Sequence, residues 1–163
     1  MNGQLPNVLD RFRSAAQAFV GVVDSAATQE REAFLIQAGD CLAELYGSAL
    51  KLPPGEPVTD EISGESFDAD ALVQLARSLR AKLGEMDSYW SVFDATDEHS
   101  QVRGSLAGDI SEVYADVRDG LGLFGKPAIA EGDLLWELRF DFRSHWGRHA
   151  LDALKAIYDR HVE

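Results

Sequence analysis

Apolar residues recur at intervals of three and four along almost the whole chain. That spacing restricts the fold more than any other feature, because it lays one buried stripe per segment along a 3.6-residue helix. Leu5, Val8, Leu9, Phe12, Ala16, Phe19, Val20 and Val23 form a first stripe. Pro6 is tolerated in its opening turn, where the missing N–H has no helical partner anyway. Residues 25–28 break the pattern, with Thr28 as an N-cap for the next helix. Phe34, Leu35, Ala38, Cys41, Leu42, Leu45, Tyr46, Ala49 and Leu52 make the second stripe, and Pro53-Pro54-Gly55 stops it.

The stretch at about 53–67 is rich in proline, glycine and acids and reads as an exposed loop. A third helix is expected from Asp68, a capping residue, with Leu72, Leu75, Ala76, Leu79 and Leu83 inward and Gly84 closing it in the left-handed conformation. Residues 85–104 lack a clear period and carry the run Tyr89-Trp90-Ser91-Val92-Phe93-Asp94, expected to fold back and plug one end of a bundle. Ser105 caps a fourth helix carrying Leu106, Ile110, Val113, Tyr114, Val117 and Leu121. The last helix runs from Ile129 or Asp133 to His161 on a stripe of Leu135, Phe142, Trp146, Ala150, Ala153 and Ile157. Strand signals are almost absent. The expected architecture is therefore all-α: one helical domain over residues 1–163, an antiparallel bundle of about five helices, with an irregular aromatic segment between the third and fourth.

Charge narrows the partners. Fifteen Lys and Arg against 28 Asp and Glu give a net charge of −13. A surface of that sign repels phosphate backbones and anionic lipid, so neither nucleic acid nor a membrane is an expected partner. No segment approaches the length of apolar chain that spans a bilayer, and the start lacks the basic and apolar blocks of a signal peptide. A cytoplasmic protein is the expectation. Cys41 is the only cysteine, which excludes an internal disulfide; among Ala38, Leu42 and Leu45 it reads as a small core residue.

One polar constellation stands out. On a wheel of about 100° per residue with Trp146 at zero, His149 falls at about 300°, His145 at about 260°, Asp152 at about 240° and Asp141 at about 220°. These four line one shoulder of the buried face, with Asp141 placed to hold His145. On the fourth helix Asp109 and Asp116 lie about a quarter turn from the core, while Glu112 and Asp119 point toward water. If these two helices pack antiparallel, Asp109, Asp116, His145 and His149 meet. Such a group either pairs structurally, holding two helices in register, or binds a metal through His145 and His149. It lacks the zinc-protease and di-iron sequence signatures, and no cofactor is expected. Trp90, Phe93 and Trp146 are candidate pocket-lining residues, although Trp136 and Trp146, being helical, read first as core. His99 sits in a solvated run, and no nucleophile elbow or phosphate-cradling loop is present. A non-enzymatic binding or adaptor module for a protein partner is the leading functional reading; a metal-binding protein or metal-dependent enzyme is the alternative.

Three blocks carry a family likeness: Tyr89-Trp90-Ser91-Val92-Phe93-Asp94; Ser105-Leu106-Ala107-Gly108-Asp109-Ile110 with Val113-Tyr114-Ala115-Asp116-Val117; and Trp136 with Phe142-Arg143-Ser144-His145-Trp146-Gly147-Arg148-His149. Together they resemble a bacterial family, domain of unknown function 5063, from about Leu5 to Tyr158, most sharply in the His-Trp-Gly-x-His segment. The resemblance implies an all-helical fold and brings no activity, cofactor or catalytic residue with it. Its members tend to read Asp-Pro where this chain has Asp94-Ala95.

Overall fold

The computed structural model describes residues 5–60, 62 and 64–161. The chain is mostly helical. Helices α1 (Leu5–Asp24) and α2 (Arg31–Leu50) are followed by α3 (Ala69–Leu83), a β-hairpin of β1 (Ser88–Val92) and β2 (Gln101–Ser105), and α4 (Leu106–Leu121). Then α5 (Glu131–Asp141), a π turn (Phe142–Trp146) and α6 (Gly147–His161) run on as one rod. Five rods thus pack around a single core, and the apolar stripes do so much as their spacing implies. Phe12, Ala16 and Phe19 of α1, Phe34, Leu42 and Leu45 of α2, and Trp146, Ala150 and Ala153 of the last rod are all buried. Helix α4 packs against α1, α3 and α6 and is buried on most sides. No described helix is long and apolar enough to cross a membrane.

Caps fall largely where the side-chain chemistry puts them. Asp68 accepts the Ala71 N–H at 2.8 Å, and Ser105 accepts the Gly108 N–H at 3.0 Å. Gly84 ends α3 with a positive φ of +57°, but its ψ of −124° lies outside the left-handed helical region expected of it. Thr28 does not cap α2: it closes a short 3₁₀ turn by donating to the Ser25 carbonyl, and Glu30 takes the N-cap position without a side-chain bond. Cys41 is half-buried at the edge of the core rather than within it.

Two larger departures matter for the site. The aromatic segment does not plug the bundle; it forms an antiparallel hairpin with Tyr89 opposite Gly104 and Ser91 opposite Val102. Residues 93–100 make its turn. Asp94 accepts from the Thr96 N–H at 2.9 Å and the Thr96 hydroxyl at 2.7 Å, so its own side chain folds the loop. Strand pairing here was masked because the period-two signal lasts only five residues and β2 is mostly polar. The second departure is the stretch between α2 and α3, which is exposed along much of its length yet strapped down. Asp133, at the start of α5 and buried, accepts the Val58 N–H at 2.7 Å and the Thr59 N–H at 3.2 Å. Gly55 passes so close to α5 that a Cβ would lie 2.3 Å from the Trp136 nitrogen.

Candidate functional site

The hairpin is laid along the last rod. Arg160 donates to the Ser88 carbonyl at 2.6 Å, Ser91 to Asp152 at 3.5 Å, and Arg148 to the Phe93 carbonyl at 2.7 Å. The order of these contacts shows β1 running antiparallel to α6. Strand alternation turns Tyr89 and Ser91 toward the helices and leaves Trp90 facing solvent, 70% exposed. Phe93 lies under the Arg148 guanidinium, 4.0 Å from the ring centre, and is 62% exposed. The Tyr89 ring lies across Gly104, where a Cβ would collide with it at 2.3 Å. The absent side chain at Gly104 is what lets the phenol reach α4.

That reach completes a network. The Tyr89 hydroxyl donates to Asp109, whose other carboxylate oxygen is 2.8 Å from His149 Nδ1. One turn away, His145 Nδ1 lies 2.7 Å from Asp116. The two imidazoles sit edge to face at 4.9 Å. Asp109, near the start of α4, meets the later histidine and Asp116 the earlier one, as antiparallel packing requires. The N-terminus of α4 is fixed by the buried Asp87, which accepts from the Ala107 N–H at 2.7 Å and the Ser105 hydroxyl at 3.0 Å. This holds Asp109 at the mouth of the site.

Asp109, Asp116, His145 and His149 are therefore brought together. Trp146, by contrast, is core, packed on Phe142 at 4.8 Å, and shares no space with Trp90 and Phe93 on the hairpin. Asp141 does not hold His145; Asp116 does. The reason is the π turn between them, which widens the helix and re-aims His145 toward α4. Gly147 directly follows that turn, and a Cβ there would lie 2.4 Å from the Phe142 oxygen and 2.9 Å from its ring. The glycine of the His-Trp-Gly-x-His segment thus permits the bulge. Glu112 and Asp119 are half-buried rather than facing water, Asp119 taking a backbone hydrogen bond from Phe67. Trp136, expected in the core, is 37% exposed.

Titration behaviour follows from crowding. Hydrogen bonding to Asp109 pushes the His149 imidazole up, against the opposing effect of burial. Burial, then the charges of Glu137, Asp116 and Asp119, push the Asp141 carboxyl up to about 7. Burial first, with a neighbouring carboxylate second or third, also raises Asp152 and Asp119. All four groups hold protons more tightly in the folded chain than in the unfolded one. Their contribution to stability is present at acid pH, where folded and unfolded forms are both protonated, and is lost as pH rises through the folded values. Stability should fall between pH 5 and pH 8, and Asp141→Asn should melt higher than the parent above about pH 7 but not near pH 4. Melting curves across that range check it; a parent that gains stability toward pH 8, with no benefit from Asp141→Asn, would contradict it.

Chemically the site offers two imidazoles, each oriented by a carboxylate on one ring nitrogen, and a phenol sharing one of those carboxylates. Among the described residues, no group of three or more His, Cys, Asp or Glu side chains is arranged to hold a metal ion. Tyr89 and Ser91, and the positioning role of Gly104, were missed from the sequence; the alternation of inward Tyr89 and Ser91 with outward Trp90 and Val92 is the signal that reveals them.

These features define a class: a packed-helix domain with a β-hairpin closed over paired histidines and aspartates. The chain belongs to the family described as domain of unknown function, DUF5063, whose family model matches residues 4–163. No curated protein matches it. A similar fold is seen in the crystal structure of protein BF1032 from Bacteroides fragilis, with a TM-score of 0.79 and 23% identity over 93% of this chain and 90% of that one.

Proposed function

We infer that the chain is a non-enzymatic binding module that receives a basic segment of a partner protein on the face built by α4, the last rod and the hairpin. The observation that supports this most is the crowding of carboxylates there, with Asp141 pushed up to about 7 by burial and by Glu137, Asp116 and Asp119. Like charges held together at the surface are relieved by an incoming cation, and that relief is available to a Lys- or Arg-bearing guest. Further along the same rod, where β1 lies against Asp152 and Arg160, the hairpin presents Trp90, an aromatic of the kind that anchors interfaces. Lysine- and arginine-rich peptides, labelled for anisotropy, test the reading. Binding is expected to weaken about tenfold in Trp90→Ala and to fall with added salt. Absence of binding, or binding indifferent to Trp90→Ala and to salt, would overturn it.

A further inference from the structure

We propose a second binding site, on the opposite side of the last rod from the His/Asp pairs, for a small planar aromatic ligand carrying an anionic group. An open surface groove of about 460 Å³ lies between the strap at Pro54 and Gly55 and the helix residues Trp136, Arg139, Phe140, Arg143 and Ser144. That volume is within the range of small-molecule sites. The helix residues sit at positions i, i+3, i+4, i+7 and i+8, so they share one face of the rod. Trp136 and Phe140 are stacked with ring centres 5.0 Å apart and planes 7° from parallel, and Phe140 is 50% exposed.

Core packing does not account for the two aromatic rings: the strap meets α5 through Gly55, Glu56 and the Asp133 hydrogen bonds, yet Trp136 stays 37% and Phe140 50% exposed. The same wall carries two guanidiniums in a chain whose net charge is −13. Arg139 is committed in part, donating to the Leu52 carbonyl at 2.6 Å. Arg143 has no ion-pair partner among the described residues. A flat π surface beside an uncommitted guanidinium matches a ligand with an aromatic ring and a phosphate or carboxylate, the ring lying against the stacked pair and the anion taken by Arg143. The strap forms one edge of the groove at Pro54 and Gly55, and Asp133 ties it down a few residues further on at Val58 and Thr59.

Isothermal titration of the full chain with AMP, and separately with indole-3-acetate, tests this and separates a phosphate-bearing from a carboxylate-bearing source. At least one probe is expected to bind with Kd below about 1 mM, and adenosine, without the phosphate, more weakly than AMP. Arg143 is exposed, so Arg143→Ala should fold normally and weaken binding about tenfold or more. Trp136→Ala should do the same, while Trp90→Ala, on the hairpin, should change nothing. Failure of both probes to bind, equal binding in Arg143→Ala, or loss of binding in Trp90→Ala would each overturn the proposal. None of these outcomes bears on basic-peptide binding at the His/Asp face, which is read with a different probe.

Discussion

Replacing Trp146 with alanine should cost about 3–5 kcal/mol of folding stability, the largest effect expected of any single substitution in this chain. Trp146 is 2% exposed. Its ring packs on Phe142 at 4.8 Å, and Phe142 in turn meets Tyr46 edge-on at 5.2 Å. The aromatic run therefore joins α2 to the π turn, and truncation leaves a cavity that the surrounding rods cannot close without moving. Because Trp146 also ends the turn that aims His145 at Asp116, a relaxed turn should loosen that pair as well. Urea unfolding of parent and variant measures the loss. A cost under about 1 kcal/mol would mean that the ring is not packed as described.

Asp109→Ala should be the next most damaging change, at about 3 kcal/mol. It leaves two partly buried partners, the Tyr89 hydroxyl and the His149 ring, without the bonds that satisfy them, and each such loss costs about 1–3 kcal/mol. The carboxylate is largely buried on α4 while its two partners come from the hairpin and from α6, so one side chain fastens three elements. Loss of the hairpin clamp should appear as faster amide exchange across β1 and β2, with α1 and α2 unchanged. Asp109→Asn keeps the shape and one acceptor and should fall between parent and alanine variant. A neutral Asp109→Ala would remove the network from the account of the fold.

Much of this was legible in the residues, for reasons that can be named. The stripes of α1, α2, α4 and the last rod are long enough for the helical period to dominate. An i, i+7 pair of aspartates opposite an i, i+4 pair of histidines, both at the margin of a buried face, meets as soon as the helices run antiparallel. The hairpin was not legible, because five residues of alternation in β1 are opposed by the polar Gln101-Val102-Arg103-Gly104-Ser105. Its stability comes from tertiary contacts with Asp109, Asp152, Arg148 and Arg160 that no local pattern contains. The π turn was equally hidden, since only Gly147 hints at it, and a wheel of constant step therefore offered Asp141 as a holder of His145 beside the cross-helix Asp116, which alone makes the bond. Trp136 lies outside the core because a wide apolar stripe looks the same whether or not a neighbour covers its edge; here the strap passes the Trp136 backbone at Gly55 and leaves the ring 37% exposed.

The most direct test of the central claim, that imidazoles from the last rod are held by carboxylates of α4, is nitrogen-15 NMR of the histidine rings followed through a pH titration in the parent and in Asp109→Asn. The account expects His149 to carry its proton on Nδ1, to titrate above an ordinary histidine because Asp109 holds it, and to move down when that carboxylate becomes an amide. A His149 ring that titrates like a free imidazole, identically in both proteins, would contradict it.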